Sequence, residues 1–239
     1  SAYRSSAPET RAPLPESQVS CRIAGVVIAY IPGYGGHEGL QGTNETMENM
    51  RPQGEIYQQP AGISRQLTTF DLEKKSKTIV IPSGKRVTIG QVEGAGLLSR
   101  LWLTFPRWFW PHWEPTFPVD PTVFKALIMR IYWDGSDTPA VEVPVGDFFG
   151  AGHCEFDPFT ARYVGSSSGG FYTYWPMPYA AGFRIEFENR HPSLSPDIFL
   201  NANYQQLDRK PADAGYFCTQ FYTGRREGTD DTLVVDTQG

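Results

Sequence analysis

From Thr78 onward the chain is a succession of short apolar or alternating runs, each cut off by glycine, proline, aspartate or serine, and no stretch keeps a helical period beyond about two turns. Such punctuation leaves a chain little choice but β-structure. Residues 77–82 form a short β run ended by Pro82-Ser83-Gly84. Residues 86–89 alternate, and 97–105 are rich in strand formers. Residues 124–133 read as one long apolar strand. Residues 140–145 alternate, which places Glu142 on the face opposite Val141 and Val143. Further strands are expected at 171–175, 183–187, 198–204, 216–222 and 233–235. Roughly nine to eleven strands in all point to a sandwich or barrel. The long connections at 106–122 and 150–170 suit a jelly roll better than a tight meander.

Residues 1–60 differ in kind. They are rich in Pro, Gly, Ser, Gln and Glu and hold one strand-like run, at 22–31. Ala7-Pro8, Ala12-Pro13-Leu14-Pro15 and Pro32-Gly33-Tyr34-Gly35-Gly36 are turn or extended signals. The expected organisation is an arm over 1–60, packed on its own domain or exchanged with a neighbouring subunit, and a β domain over 61–239.

The chain is acidic, with net charge -5 and pI near 5.4. Binding a nucleic-acid backbone needs a concentrated basic face. The densest basic group here, Lys74, Lys75 and Lys77, reads as a solvated turn. No membrane span is expected, since the best apolar run, 23–31, is about half of the ~20 residues a spanning helix needs. Polar, Pro-rich residues before that run and the lack of a small-residue cleavage site after it argue for a strand over a signal peptide. The compartment is not readable; an extracellular or cell-surface place is the favoured expectation. Asn44-Glu45-Thr46 fits a glycosylation acceptor, a triplet common by chance. Cys21, Cys154 and Cys218 are too widely spaced for a zinc pattern. One disulfide with a free thiol, or three unpaired and mostly buried cysteines, are both open.

Four of the six tryptophans fall in residues 102–113. Trp102 and Phe105 belong to a strand and to the core. Trp108, Phe109, Trp110 and Trp113 lie among Pro106, Pro111 and Pro115, hence on a loop. A loop cannot bury that much aromatic surface on itself. A subunit interface is the first reading, packing on its own domain the second, and a sugar-stacking platform the third. Asp134-Gly135 reads as a structural hairpin turn. Glu142 and Asp147 form the closest acidic pair beside a strand end. Their spacing puts them on opposite faces unless the chain turns, so the expectation for Asp147 is a cap on turn amides. His153, Cys154, Glu155 and Asp157 read as a polar loop, and no metal or cofactor is expected. Ser166-Ser167-Ser168-Gly169-Gly170 lacks the following lysine and helix of a phosphate cradle, and no Gly-x-Ser-x-Gly elbow occurs.

Several ordered pieces resemble one family. They are residues 63–71 (Ile-Ser-Arg-Gln-Leu-Thr-Thr-Phe-Asp), 92–102 (Val-Glu-Gly-Ala-Gly-Leu-Leu-Ser-Arg-Leu-Trp), Arg130-Ile131-Tyr132-Trp133-Asp134-Gly135, Pro139-Ala140-Val141-Glu142-Val143-Pro144 and Gly146-Asp147-Phe148-Phe149-Gly150. Trp175-Pro176-Met177-Pro178-Tyr179, Glu186-Phe187-Glu188-Asn189 and Tyr216-Phe217 follow in order. Together, over about residues 57–239, they resemble glycoside hydrolase family 172, also known as domain-of-unknown-function family 2961. The resemblance is to the first half of that family's two jelly rolls. It implies a jelly-roll fold, assembly as trimers of double rolls, and retaining hydrolysis of fructofuranosides or D-arabinofuranosides by two glutamates. Those glutamates lie in second-roll stretches, Gly-Glu-Gly-Asp-Glu and Gly-Thr-Glu-Asp-Tyr-Phe, that do not occur here. Glu227-Gly228-Thr229-Asp230-Asp231 is only a superficial likeness. Gly146 stands where the second motif would have its glutamate, so no catalytic residue is carried over.

The expectation is therefore an all-β, single jelly-roll sandwich with an extended N-terminal arm. Its expected role is that of a self-assembling structural subunit, a trimer, hexamer or larger assembly of itself, in contact with carbohydrate. The alternative is one part of a retaining furanosidase whose catalytic half is another chain.

Overall fold

The computed structural model describes residues 22–31, 62–105, 120–154, 157–167 and 169–225. Its elements, in chain order, are β1 (Arg22–Ile31), β2 (Ile63–Thr68), β3 (Ile79–Val80), β4 (Arg86–Glu93), β5 (Gly96–Thr104), α1 (Val123–Ala126), β6 (Leu127–Trp133), β7 (Val141–Pro144), α2 (Val145–Phe148), β8 (Phe159–Thr160), β9 (Val164–Ser167), β10 (Gly170–Thr173), β11 (Met177–Tyr179), β12 (Gly182–Asn189), β13 (Asp197–Gln206) and β14 (Tyr216–Arg225).

Eight of these strands nest. The first pairs with the last, β2 with β13; then β4 with β12 and β5 with β10; the middle two, β6 and β7, pair with each other. All these pairs are antiparallel. The result is two sheets, β2-β13-β5-β10 and β4-β12-β6-β7, between which the chain passes back and forth. That is the jelly roll, and the expected fold class is what the chain adopts. Strands β9 and β8 extend the first sheet, while β11 and β3 add short pairings to β5 and β13.

The inner faces carry the apolar residues the alternation predicts. Leu127, Met129, Ile131 and Trp133 of β6 meet Phe183, Ile185 and Phe187 of β12 and, across the sandwich, Leu101, Leu103, Leu200 and Ala202, in one continuous core. Trp133 and Tyr179 stack at 6.2 Å, nearly parallel, between the layers.

Three expectations are corrected. Residues 124–126 do not begin the β6 strand. They form the helical turn α1, started by Asp120, whose carboxylate accepts from the Thr122 N–H and hydroxyl at 2.9 and 2.7 Å. Residues 150–170 are not a plain connection but include β8 and β9. Val145, expected as the end of the 140–145 strand, instead opens the helical turn α2.

The strand foreseen at 22–31 exists. β1 lies antiparallel along β14 of the same chain, from Arg22 opposite Arg225 to Ile31 opposite Tyr216. β14 in turn lies against the β7 side of the roll. Thr219 N–H donates to Ala140 O at 2.9 Å, the Trp133 indole N–H to Phe217 O at 2.7 Å, and the Tyr216 hydroxyl to Asp134 at 2.6 Å. The ribbon of β1 and β14 thus closes one long side of the sandwich. The strand foreseen at 233–235 lies outside the described residues.

Candidate functional site

The outer face of β4-β12-β6-β7 holds the densest chemistry among the described residues. Outward positions of a strand whose other face is core are usually wetted. Here Ile128, Arg130 and Tyr132 of β6 are outward, yet buried, and Arg130 is only 3% exposed. Their cover is an interlocked set of charged side chains. Arg130 contacts Glu142 of β7 at 2.7 Å and Glu188 of β12 at 2.5 Å. Arg190 reaches the same two carboxylates, at 3.4 and 3.2 Å, and Arg86 of β4 reaches Glu188 at 3.3 Å. One row further along, Glu186 takes Arg184 at 2.9 Å, the Tyr132 hydroxyl at 3.0 Å and the Thr88 hydroxyl at 3.3 Å. The Arg184 guanidinium lies over the Tyr132 ring, 4.1 Å from its centre.

The electrostatics follow from this packing. The Arg190 hydrogen bond, against the opposing cost of burial and with Arg130 adding to it, pulls the Glu188 carboxyl down to about 2. Burial works against the charge on Arg130, but the hydrogen bonds to Glu142 and Glu188 outweigh it and raise its pKa. Burial, and then the bond to Glu186, raise the Tyr132 phenol. Two-carboxylate hydrolysis needs one acid that still holds its proton near working pH. Glu188 has none to give, and Glu142 and Glu186 are each shared with arginine. This lattice fastens four strands together.

At one end of the same face the strands open into a polar hollow of about 420 Å³. Gly182 forms its floor, where a Cβ would come within 2.4 Å of Val92 O. Gln91, Glu93 and Arg184 stand around it. Asp134, also on its rim, serves the fold: one carboxylate oxygen accepts the N–H groups of Ala180, Ala181 and Gly182 at 2.9, 2.6 and 3.1 Å, and the other accepts Tyr216. The turn reading of Asp134-Gly135 holds, with Asp134 at φ 55.

A second hollow, of about 460 Å³, opens on the side of the sandwich away from the β1–β14 ribbon. The loop after β2 (residues 68–73), Ile79 and Ile89 line it. Two of the side chains that line it, Phe70 and Leu72, stand open to solvent, Leu72 at 79% exposure.

Glu142 and Asp147 are not brought together as a pair. Glu142 belongs to the lattice, whereas Asp147 is buried in α2 with both oxygens on Lys125 Nζ, at 2.6 and 2.8 Å. Asp147 therefore pairs with a cation from α1 instead of capping turn amides, which corrects the expectation. Gly146 is packed tightly: a Cβ there would meet Ala151 O and the Phe124 Cβ at 2.8 Å each. Cys154 and Cys218 are free thiols, both pushed upward by burial, Cys218 to about 11. Cys21, the glycosylation triplet, and Trp108, Phe109, Trp110 and Trp113 lie outside the described residues. The arginine lattice is absent from the expectations drawn from sequence. Its one available signal is Arg130 itself, a lone cation inside the apolar run 127–133, which burial obliges to find carboxylates.

A family model described as GH172 domain-like matches residues 71–197, from the loop after β2 to the start of β13. A comparison with curated proteins finds no match.

Proposed function

The chain belongs to the GH172 domain-like family, and from that membership we propose that it works as a self-assembling jelly-roll subunit rather than as a hydrolase by itself. The observation that carries this reading is the asymmetry of the sandwich. One long side is closed by the β1–β14 ribbon, while the opposite side leaves Phe70 and Leu72 open around a hollow. Clustered exposed apolar side chains of this kind mark surfaces that meet another protein. The aromatic loop residues Trp108, Phe109, Trp110 and Trp113 are proposed as a further subunit contact, with glycan stacking as their other use. The arm that contains β1 is proposed to tie neighbouring copies together.

Two observations favour assembly over catalysis in this chain. The carboxylates on the outer face are bound to arginines. A glutamate at position 146 has no room beside Phe124 and Ala151. The family relationship supports a second reading, in which the chain is one part of a retaining furanosidase whose glutamates come from another chain. Native mass measurement tests the first: a defined oligomer is expected, and a monomer at all concentrations would sink it. Release of fructose or arabinose from furanosides by the purified chain alone would overturn the preference for the first.

A further inference from the structure

We propose that β4 is the seam through which two copies of this chain join, strand against strand and antiparallel about a two-fold axis; this rests on the assembly reading and names its contact. Among the described residues β4 is the edge of its sheet, with β12 on its other side. Its sequence, Arg86-Val87-Thr88-Ile89-Gly90-Gln91-Val92-Glu93, is complementary to itself when reversed. Centred between Ile89 and Gly90, antiparallel pairing sets Arg86 opposite Glu93, Val87 opposite Val92, Thr88 opposite Gln91 and Ile89 opposite Gly90. Opposite charges then meet at both ends of the seam, and β-branched residues meet inside it.

In an unbroken strand that register would fail. A two-fold axis normal to the sheet keeps each face on its own side, so opposed residues must share a face, and strict alternation puts 86 and 93 on different ones. β4 is not unbroken. Opposite β12, Ile185 pairs with Gly90 and Glu186 with Thr88, which leaves Ile89 as the extra residue of a bulge. The alternation therefore resets at mid-strand. Val87, Ile89, Gly90 and Val92 are half-buried, while Arg86, Thr88, Gln91 and Glu93 are exposed, a pattern that reads the same in both directions. The bulge makes every opposed pair share a face.

Strand pairing over so short an edge is smaller than the ~1,000 Å² a stable interface needs. The open side of the sandwich supplies more: Ile89 lines its hollow beside Phe70 and Leu72, so joining two β4 edges draws both apolar patches to the seam. A charged, bulged edge is also a device that keeps strands apart, and this is the outcome the test is built to reveal.

The test uses the full chain and four samples: wild type, Arg86→Glu, Glu93→Arg, and the double exchange Arg86→Glu/Glu93→Arg. Mass is read by light scattering after gel filtration, with circular dichroism melting to show that each is folded. Wild type and the double exchange are expected to associate. Each single variant places like charges opposite each other at both ends and is expected to fall to half the wild-type mass or lower. Mixing the two single variants makes both end junctions complementary and is expected to restore the larger species. Single variants that keep the wild-type mass overturn the seam while leaving assembly intact. A monomeric wild type overturns assembly itself, and the seam with it. Glu93→Arg leaves the Arg86–Glu188 contact untouched, so agreement between the two single variants separates the seam from damage to the lattice.

Discussion

Asp134 is a turn residue whose carboxylate acts far from its turn. It gathers three backbone N–H groups from residues 46, 47 and 48 positions later and the Tyr216 hydroxyl 82 positions later. The turn is legible in the sequence, because Asp-Gly after an apolar strand is a local signal. The partners are not, because nothing local announces which distant amides lack an acceptor. Asp134→Ala is expected to lose on the order of 3 kcal/mol in denaturant unfolding, since the part-buried Ala180 and Gly182 N–H groups and the Tyr216 hydroxyl lose their shared acceptor. Asp134→Asn, which tolerates the positive φ and keeps one acceptor, is expected to lose roughly half of that. Glu188 gives a pH signature. Its folded value of about 2 lies below its ordinary 4.5, so its stabilising effect is complete above pH 4.5 and is lost as pH falls toward 2. Melting curves of wild type and Glu188→Gln are expected to differ most near neutrality and to converge across that acid window. A constant difference would show that Glu188 acts by packing alone.

Among elements, alternation and turn residues make the strands β4, β5, β7, β10, β12 and β13 visible in the sequence alone. The α1 turn is hidden there because Val123 and Phe124 are as apolar as the strand they precede; the local sign is Asp120, whose carboxylate takes the Thr122 N–H and hydroxyl just before it. β2 and β11 are legible only through family likeness. The outward charges of β12 look like ordinary wet positions, and their pairing with Arg130 depends on a register that sequence does not display. The attachment of β14 includes a buried bond from the Trp133 indole. Trp133→Phe removes the 2.7 Å bond to Phe217 O and is expected to lower stability by about 1–2 kcal/mol, and hydrogen exchange should then show 216–225 opening first. Cys218 reports the same event. Its thiol is buried and raised to about 11, so at pH 8 it stays protonated, and maleimide labelling is expected to track the opening of β14.

For the molecule as a whole, the fold is written in the chain and the role is not. Nested antiparallel strands follow from many short runs and long crossings, and the order of motifs points to the family that residues 71–197 match. The proposed assembly role turns on which side of the sandwich is left open. That becomes visible only once β2 and β4 are seen to end their sheets with Phe70 and Leu72 at the hollow beside them. Leu72→Asp, outside the lattice and the core, is expected to leave the melting temperature nearly unchanged while lowering the oligomer mass in native mass spectrometry. The β1–β14 ribbon also sets an order of events in time. β1 is made early, yet its partner is made only after β13, when the eight strands of the roll already exist. Closing so long a loop is slow compared with local pairing. Refolding should therefore proceed in two phases, a roll first and its ribbon afterwards, with β1 waiting through most of synthesis as an unmatched strand.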